Sequence, residues 1–325
     1  MSLPYGAEQA LDRFNTEDEH FETPRPNRYR WPPGAFPLLM FALTVVSTVW
    51  VGLATWSPLS VLSQAWIEGS AHIVRRCVLA NWQTGLLFSG SLLAILLAHE
   101  FGHYCMMRRY GIRSTFPIFI PFPFAPFGTC GALIVMDPSR ADRKQIFDIG
   151  IAGPLAGLVV AIPLAILGLL RPEGPRLPQP EELKLGQPLI MTLMDNLWGM
   201  EAMSSVEAIN VSTASPFFMA AWIGFFITGI NMMPISQLDG GHVAFGIFGR
   251  FAEWIAKAAF LLAVGYLVWS ELYGLSLMLL LILMMGVTHP PSSDDQQKIG
   301  LFRTILGLVS MSLPIFCIAA KPLHF

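Results

Sequence analysis

An all-α, polytopic transmembrane helix bundle with a re-entrant hairpin near its functional site is the fold this sequence predicts, and three observations predict it. Hydrophobic residues make up 54% of the 325 and charged residues only 13%, with a mean hydropathy of +0.55, far from the mix of a soluble domain. The apolar residues are gathered into runs long enough to cross a bilayer core, which takes about 20 helical residues. Between two of those runs lies a stretch as apolar as a span yet interrupted by Pro117, Pro121, Pro123 and Pro126. No helix can pass through it.

The elements follow in order. Residues 1–35 carry acidic groups and then Arg25, Arg28 and Arg30, without an apolar core, so they read as a cytosolic tail and not as a targeting segment. Spans are expected at 36–56, 84–107, 147–170 and 216–235, with shorter ones at 255–270, 273–287 and 303–320. Residues 36–320 thus form one transmembrane domain of about six to seven spans. Non-helical backbone at membrane depth is tolerated only where it is buried in protein or lines a wet cavity. The proline-rich segment is therefore expected to be a re-entrant hairpin beside a site.

Positive charge sets the orientation. Arg108, Arg109 and Arg113 follow the second span, Arg140, Arg143 and Lys144 precede the third, and Arg250 and Lys257 follow the fourth. One topology puts all of these and the N-terminus in the cytosol and leaves 171–215 as an extracytosolic loop; Arg75 and Arg76, on the other outside loop, dissent. In a bacterial cell that membrane would be the inner one. A net charge of −2 gives no footprint for nucleic acid, so the partners are the bilayer and proteins within it. Cys77, Cys105, Cys130 and Cys317 show no CxxC spacing and read as small buried hydrophobes, neither a disulfide framework nor a thiolate metal site. The chain shows no internal repeat, which weighs against a secondary transporter.

Against this background "LAHEFGH" at 97–103 looks misplaced, since no charged residue precedes it back to Arg76. On a helix, positions i and i+4 share a face, so His99 and His103 can offer two imidazoles to one metal while Glu100 points elsewhere. That is the HExxH pattern of zinc metalloproteases: two nitrogen ligands and a carboxylate that takes a proton from the attacking water without ligating. The competing structural reading is a helix end whose polar residues snorkel to the interface. The cost of ionisable groups inside a span favours the functional one. A catalytic zinc wants a third protein ligand, and Asp239 is the only acidic group in "GINMMPISQLDGGHVAF". Gly229, Pro234, Gly240 and Gly241 are expected to break or unwind the helix there. Asp239 also reads as a helix N-cap. His242, three residues on, reads as a partner behind the ligands, an alternative ligand or a plain interfacial histidine; His289, before two prolines, reads as structural.

HEFGH at 99–103, "AGPLAG" at 152–157 and Asn231-x-x-Pro234-x-x-x-Leu238-Asp239-Gly240 occur in the order found in the site-2 proteases, intramembrane zinc metalloproteases of peptidase family M50, which the sequence resembles over about 84–250. "HPPSSDD" at 289–295 resembles a feature of some bacterial members, and the run from "FIPFPFAPFGTCGA" to "IFDIGIAGPLAG" resembles the plastid and cyanobacterial branch without a PDZ module. There is no room for a PDZ domain between spans three and four, and the sequence carries no CBS domains. The resemblance implies Zn2+ as cofactor, His99, His103 and Asp239 as its ligands and Glu100 as general base. It also implies that Asn231, near Pro234, hydrogen-bonds the substrate backbone or the oxyanion. Gly128 and Gly131 fit a hairpin that takes an extended peptide by strand addition, whereas the small residues of "GPLAG" fit close helix packing. The implied activity is hydrolysis of peptide bonds in transmembrane helices, either in regulated intramembrane proteolysis or in clearing membrane peptides.

Two other readings compete. A CAAX-processing or stress-type membrane peptidase takes its third ligand from a glutamate on a later helix, and neither Glu253 nor Glu271 is suitably placed. A transporter or non-proteolytic zinc-binding membrane protein would have no need of Glu100.

Overall fold

A computed structural model describes residues 34–124, 127–134, 136, 141–170, 184–198, 208–210, 214–235, 237–270, 279–280, 283, 294, 297–319 and 322–324. Nearly all of the expected 1–35 tail, Arg140, most of the expected 273–287 span, His289 and the rest of "HPPSSDD" except Asp294, and much of 171–215 lie outside the described residues.

Helix α1 (Ala35–Leu53) is followed by the short α2 (Pro58–Ile67), which leaves Trp66 and Ile67 largely exposed. Helix α3 (His72–Arg109) has 38 residues, about 57 Å at 1.5 Å per residue, well beyond the hydrocarbon thickness. The span expected at 84–107 therefore extends backwards by three turns, and Arg75 and Arg76 stand in the first turn of this helix, not on a loop. Asn81 Nδ2 donates to Leu53 O at 3.0 Å, closing the open C-terminal end of α1.

The proline-rich stretch forms an antiparallel β-hairpin, β1 (Ile118–Phe122) and β2 (Gly128–Leu133). Pro121 sits in a strand of a two-stranded sheet, where an edge tolerates its missing N–H. The hairpin lies against α1: Ser47 Oγ donates to Gly128 O at 2.6 Å, and Phe41 packs edge-on to Phe119.

Among the described residues, helix α4 (Arg143–Leu170) makes its most extensive helix–helix interface with α3. Beyond it come β3 (Lys184–Gly186), α5 (Leu189–Trp198) and β4 (Ala208–Asn210). Helix α6 (Pro216–Asn231) has only 16 residues, yet nearly every one from Phe218 to Ile230 is buried. A helix apolar on all sides belongs in the middle of a bundle, and α6 lies between α3 and α4. The run expected to cross at 216–235 is thus a short central helix, and Gly229 continues it instead of breaking it.

After α6 come α7 (Asp239–Phe248), a 3-10 turn (Gly249–Phe251) and α8 (Ala252–Ser270). Among the described residues, four stretches are long and apolar enough to cross a membrane: Ala35–Leu53, His72–Arg109, Arg143–Leu170 and Asp239–Trp269. The expected 255–270 span is the second half of the last of these. Helices α9 (Leu301–Ser310) and α10 (Leu313–Cys317) and strand β5 (Leu323–His324) complete the fold. Strand β3 pairs antiparallel with both β4 and β5, and Trp222 of α6 anchors it by donating from Nε1 to Gly186 O at 2.8 Å. Among the cysteines, Cys77 and Cys317 are buried as expected, whereas Cys105 and Cys130 are exposed, and all four are free thiols.

Candidate active site

The HEFGH segment lies within α3, and His99, Glu100 and His103 are 4%, 6% and 8% exposed. Across from it Asp239 opens α7. Leu238 holds the N-cap position with no side-chain cap, so Asp239 is not the N-cap, and its carboxylate turns to the two imidazoles. His99 Nε2 lies 3.1 Å from Asp239 Oδ2, His103 Nε2 lies 3.3 Å from Asp239 Oδ1, and the two Nε2 atoms are 3.1 Å apart. Donor atoms about 2.0–2.1 Å from a tetrahedral zinc sit about 3.3 Å from one another, so the three residues fit the ion. Their chemistry agrees, because three electron-rich groups converging in an apolar interior call for a cation between them. Among the described residues they are the group of histidine, cysteine and acidic side chains so assembled; His242 and Glu100 are not in it.

His103 Nδ1 donates to Ile149 O at 2.8 Å. A carbonyl can only accept, so the proton is on Nδ1 and the lone pair is on Nε2, facing His99 and Asp239. The carbonyl comes from α4, where Pro154 brings no N–H to Gly150 O and so loosens the turn. Gly153 allows the approach: a Cβ there would collide with the His103 imidazole at Nε2. His103 Nε2 therefore lies directly against the α4 backbone, and "AGPLAG" does serve close helix packing.

Gly240 plays the matching part beside Asp239. A Cβ there would collide with the Met232 carbonyl, so the turn after α6 can fold Asp239 back over the end of that helix. Pro234 ends α6, and Ile235 N donates to Met233 O across it at 2.7 Å. Asn231 is the last residue of α6 and is half-buried, and its amide makes no hydrogen bond within the described residues. Glu100 likewise has no hydrogen bond to its carboxylate among the described residues.

Of the two hairpin glycines, Gly128 has an internal reason for its small size. A Cβ there would come within 2.9 Å of Thr48 Cα of α1, whereas around Gly131 the space is open. Only Gly131 leaves room for another chain. Both have positive φ, +72° and +97°, so alanine at either costs about 1–2 kcal/mol of backbone strain. Gly128→Ala is expected to cost a further ~1–3 kcal/mol from overpacking. Thermal unfolding in detergent measures the difference; equal losses at the two positions would mean α1 yields freely.

An apolar recess of about 430 Å³ is lined by Leu97, Ala98, Phe101, Tyr104, Phe116 and Pro117, and by none of His99, His103 and Asp239. On the cytosolic side of the helix pair, as the sequence orients it, lies a cluster that reading the motifs missed. Asp148 of α4 is 8% exposed; Arg303 of α9 donates to it from Nε at 2.7 Å and from Nη2 at 2.9 Å, and Tyr110 donates from its hydroxyl. The signal was an acidic residue inside the apolar run "IFDIGIAG", which deserves a functional reading by default.

A helical bundle with the apolar length to span a membrane, carrying a buried His, His, Asp donor set and an HExxH helix, defines a membrane-embedded protein of the metallopeptidase class. The chain belongs to peptidase family M50, whose family model matches residues 87–269. It is 28% identical over 294 residues to the probable zinc metalloprotease EGY1, chloroplastic, of Oryza sativa subsp. japonica, covering 86% of this chain and 49% of that protein. Similarity to the Arabidopsis thaliana protein of the same name is 26% over 230 residues, 69% of this chain and 41% of that one. With the probable zinc metalloprotease EGY2, chloroplastic, of Oryza sativa subsp. indica it is 30% over 184 residues, 55% of this chain and 32% of that protein. The chain thus spans about half, or less, of the length of these relatives. No solved structure matches it. The family and the relatives' names speak against a transporter or a non-proteolytic zinc-binding scaffold.

Proposed function

We propose that this protein is an intramembrane zinc metalloprotease that hydrolyses peptide bonds of transmembrane helices. The observation that carries the reading is the convergence of His99, His103 and Asp239 at zinc-donor spacing, next in sequence to the buried carboxylate of Glu100. Bound there, zinc supplies Lewis acidity to the scissile carbonyl and makes water acidic enough to lose a proton near neutral pH. Glu100 accepts that proton and passes it to the leaving amine. The hydrogen bond from His103 to Ile149 O fixes the ring so that its Nε2 stays a ligand. Asn231, whose amide makes no hydrogen bond among the described residues, can both donate and accept and holds the substrate backbone or the oxyanion. A substrate helix must unwind first, because its peptide bonds are hidden in their own ladder, and the β-hairpin near Gly131 offers it backbone partners.

The catalytic core extends over about 84–250, with 1–35 as a cytosolic tail and 171–215 outside the cytosol. The protein is multi-pass, with its N-terminus in the cytosol or its plastid counterpart, and its partners are the bilayer and single-span substrate proteins.

Metal analysis of the purified chain tests this. One zinc per chain is expected, with cleavage of a transmembrane substrate in detergent, and both should be lost in Asp239→Ala. Full zinc content in Asp239→Ala would remove it from the ligand set and bring His242 forward; zinc without cleavage in the wild type would sink the protease reading.

A further inference from the structure

Helix α9 is amphipathic with its faces reversed. Leu301, Phe302, Leu308 and Val309 point outward at 50–77% exposure, while Ser310 is buried and Gly307 lies against Phe147 and Ile247. The one charged side chain on the helix, Arg303, turns inward to Asp148. In a chain read as membrane-spanning, this arrangement does not serve solubility.

The pair is bidentate, and the Asp148 side chain is 11% exposed against 30% for Arg303. Taking such charges out of water costs as much as their attraction returns, and apolar pairs of similar volume commonly hold helices together as well or better. What the guanidinium fork adds over an apolar contact is a fixed angle and distance. A requirement for geometry therefore explains Arg303 and Asp148 better than a requirement for stability.

The geometry they fix is that of His103. Asp148 is the residue before Ile149, whose carbonyl accepts from His103 Nδ1. Tyr110, which also donates to Asp148, follows His103 by about two helical turns and caps the C-terminal end of α3. The cluster thus ties the end of α3 to the start of α4 beside the hydrogen bond that aims the imidazole.

We propose that Arg303 and Asp148, with Tyr110, are positioning residues of the metal site: the C-terminal helix, through this clasp, holds the Ile149 carbonyl where it orients His103. The proposal rests on the reading of His99, His103 and Asp239 as zinc ligands. Removing groups that orient a metal-bound histidine lowers metal affinity by about 10–100-fold. Zinc affinity of the full chain, measured by competition with a chelator, is expected to fall by that order in Arg303→Gln. It should fall less in Arg303→Lys, which keeps charge without the fork, and by a few-fold in Tyr110→Phe. The visible absorption of the cobalt(II)-substituted protein should change in the same order. Trp222→Phe, which loses its bond to Gly186 O at the far end of α6, supplies a control of lowered stability with wild-type zinc affinity. If Arg303→Gln does not fold, Arg303→Lys and Tyr110→Phe decide. Wild-type affinity and cobalt spectra in the folded variants, whatever their melting temperatures, would overturn the proposal and leave the pair a staple. A wild-type chain that takes up no zinc would overturn the metal reading instead.

Discussion

Glu100→Gln is expected to keep its zinc and lower the turnover of a transmembrane substrate by about 10²–10⁴-fold, the contribution of a positioned general base. At 1.36 kcal/mol per decade this is about 2.7–5.4 kcal/mol of barrier. The amide has the volume of the carboxylate, and Glu100 makes no hydrogen bond among the described residues that the change would break, so folding should be little affected. The three donor groups are untouched. What the amide cannot do is accept a proton at neutral pH. Single-turnover cleavage in detergent, beside metal analysis of the same sample, separates the possibilities. Unchanged turnover would place the base elsewhere, and lost zinc would make Glu100 a ligand.

How much of this site was legible in the sequence depends on the range over which each feature is encoded. HEFGH is local: the i, i+4 spacing on a helix is enough to bring His99 and His103 together, and α3 delivers that. Asp239 was legible by chemistry, as the one acidic group in a segment broken by Pro234, although its distance in sequence from His99 hid the contact. The second meaning of "AGPLAG" was partly legible, since small residues imply close packing but do not say that the neighbour is the His103 imidazole.

Other features depend on tertiary partners. Pro117, Pro121, Pro123 and Pro126 forbade a helix, but strand pairing between β1 and β2 is set by their register and by α1 behind them. The burial of α6 on all sides cannot be told from a membrane-facing helix by hydropathy alone, because lipid and protein interior are equally apolar. The packing of Gly128 against Thr48 of α1 joins residues 80 positions apart, and no spacing in the sequence announces it. Asp148 and Arg303 stand 155 residues apart, and no periodicity links them.

The other large effect is expected from a single methyl group. Gly153→Ala should lower zinc affinity by 100-fold or more, while Gly157→Ala, one turn further along the same face of α4, should stay within a few-fold of wild type. A Cβ on Gly153 would occupy the place of His103 Nε2, so the atom that must move is itself a proposed metal donor, and its ring is also tied through Nδ1 to Ile149 O. A Cβ on Gly157 would meet His99 Cβ at 3.3 Å and Nδ1 at 3.4 Å, a tight contact that a shift of a few tenths of an ångström relieves. Relieving the clash at Gly153 means either turning the imidazole out of the site or parting α3 from α4 at their interface. The first loses the ligand, and the second costs about 1–3 kcal/mol of packing. Chelator competition gives the affinities, and circular dichroism with thermal unfolding shows which route is taken. Native helix content with zinc lost means that the ring turns out and that the glycine exists for the metal site. Equal zinc affinity in the two variants would mean that the helices part without disturbing the donors, and the close approach of Gly153 to His103 would then be packing alone.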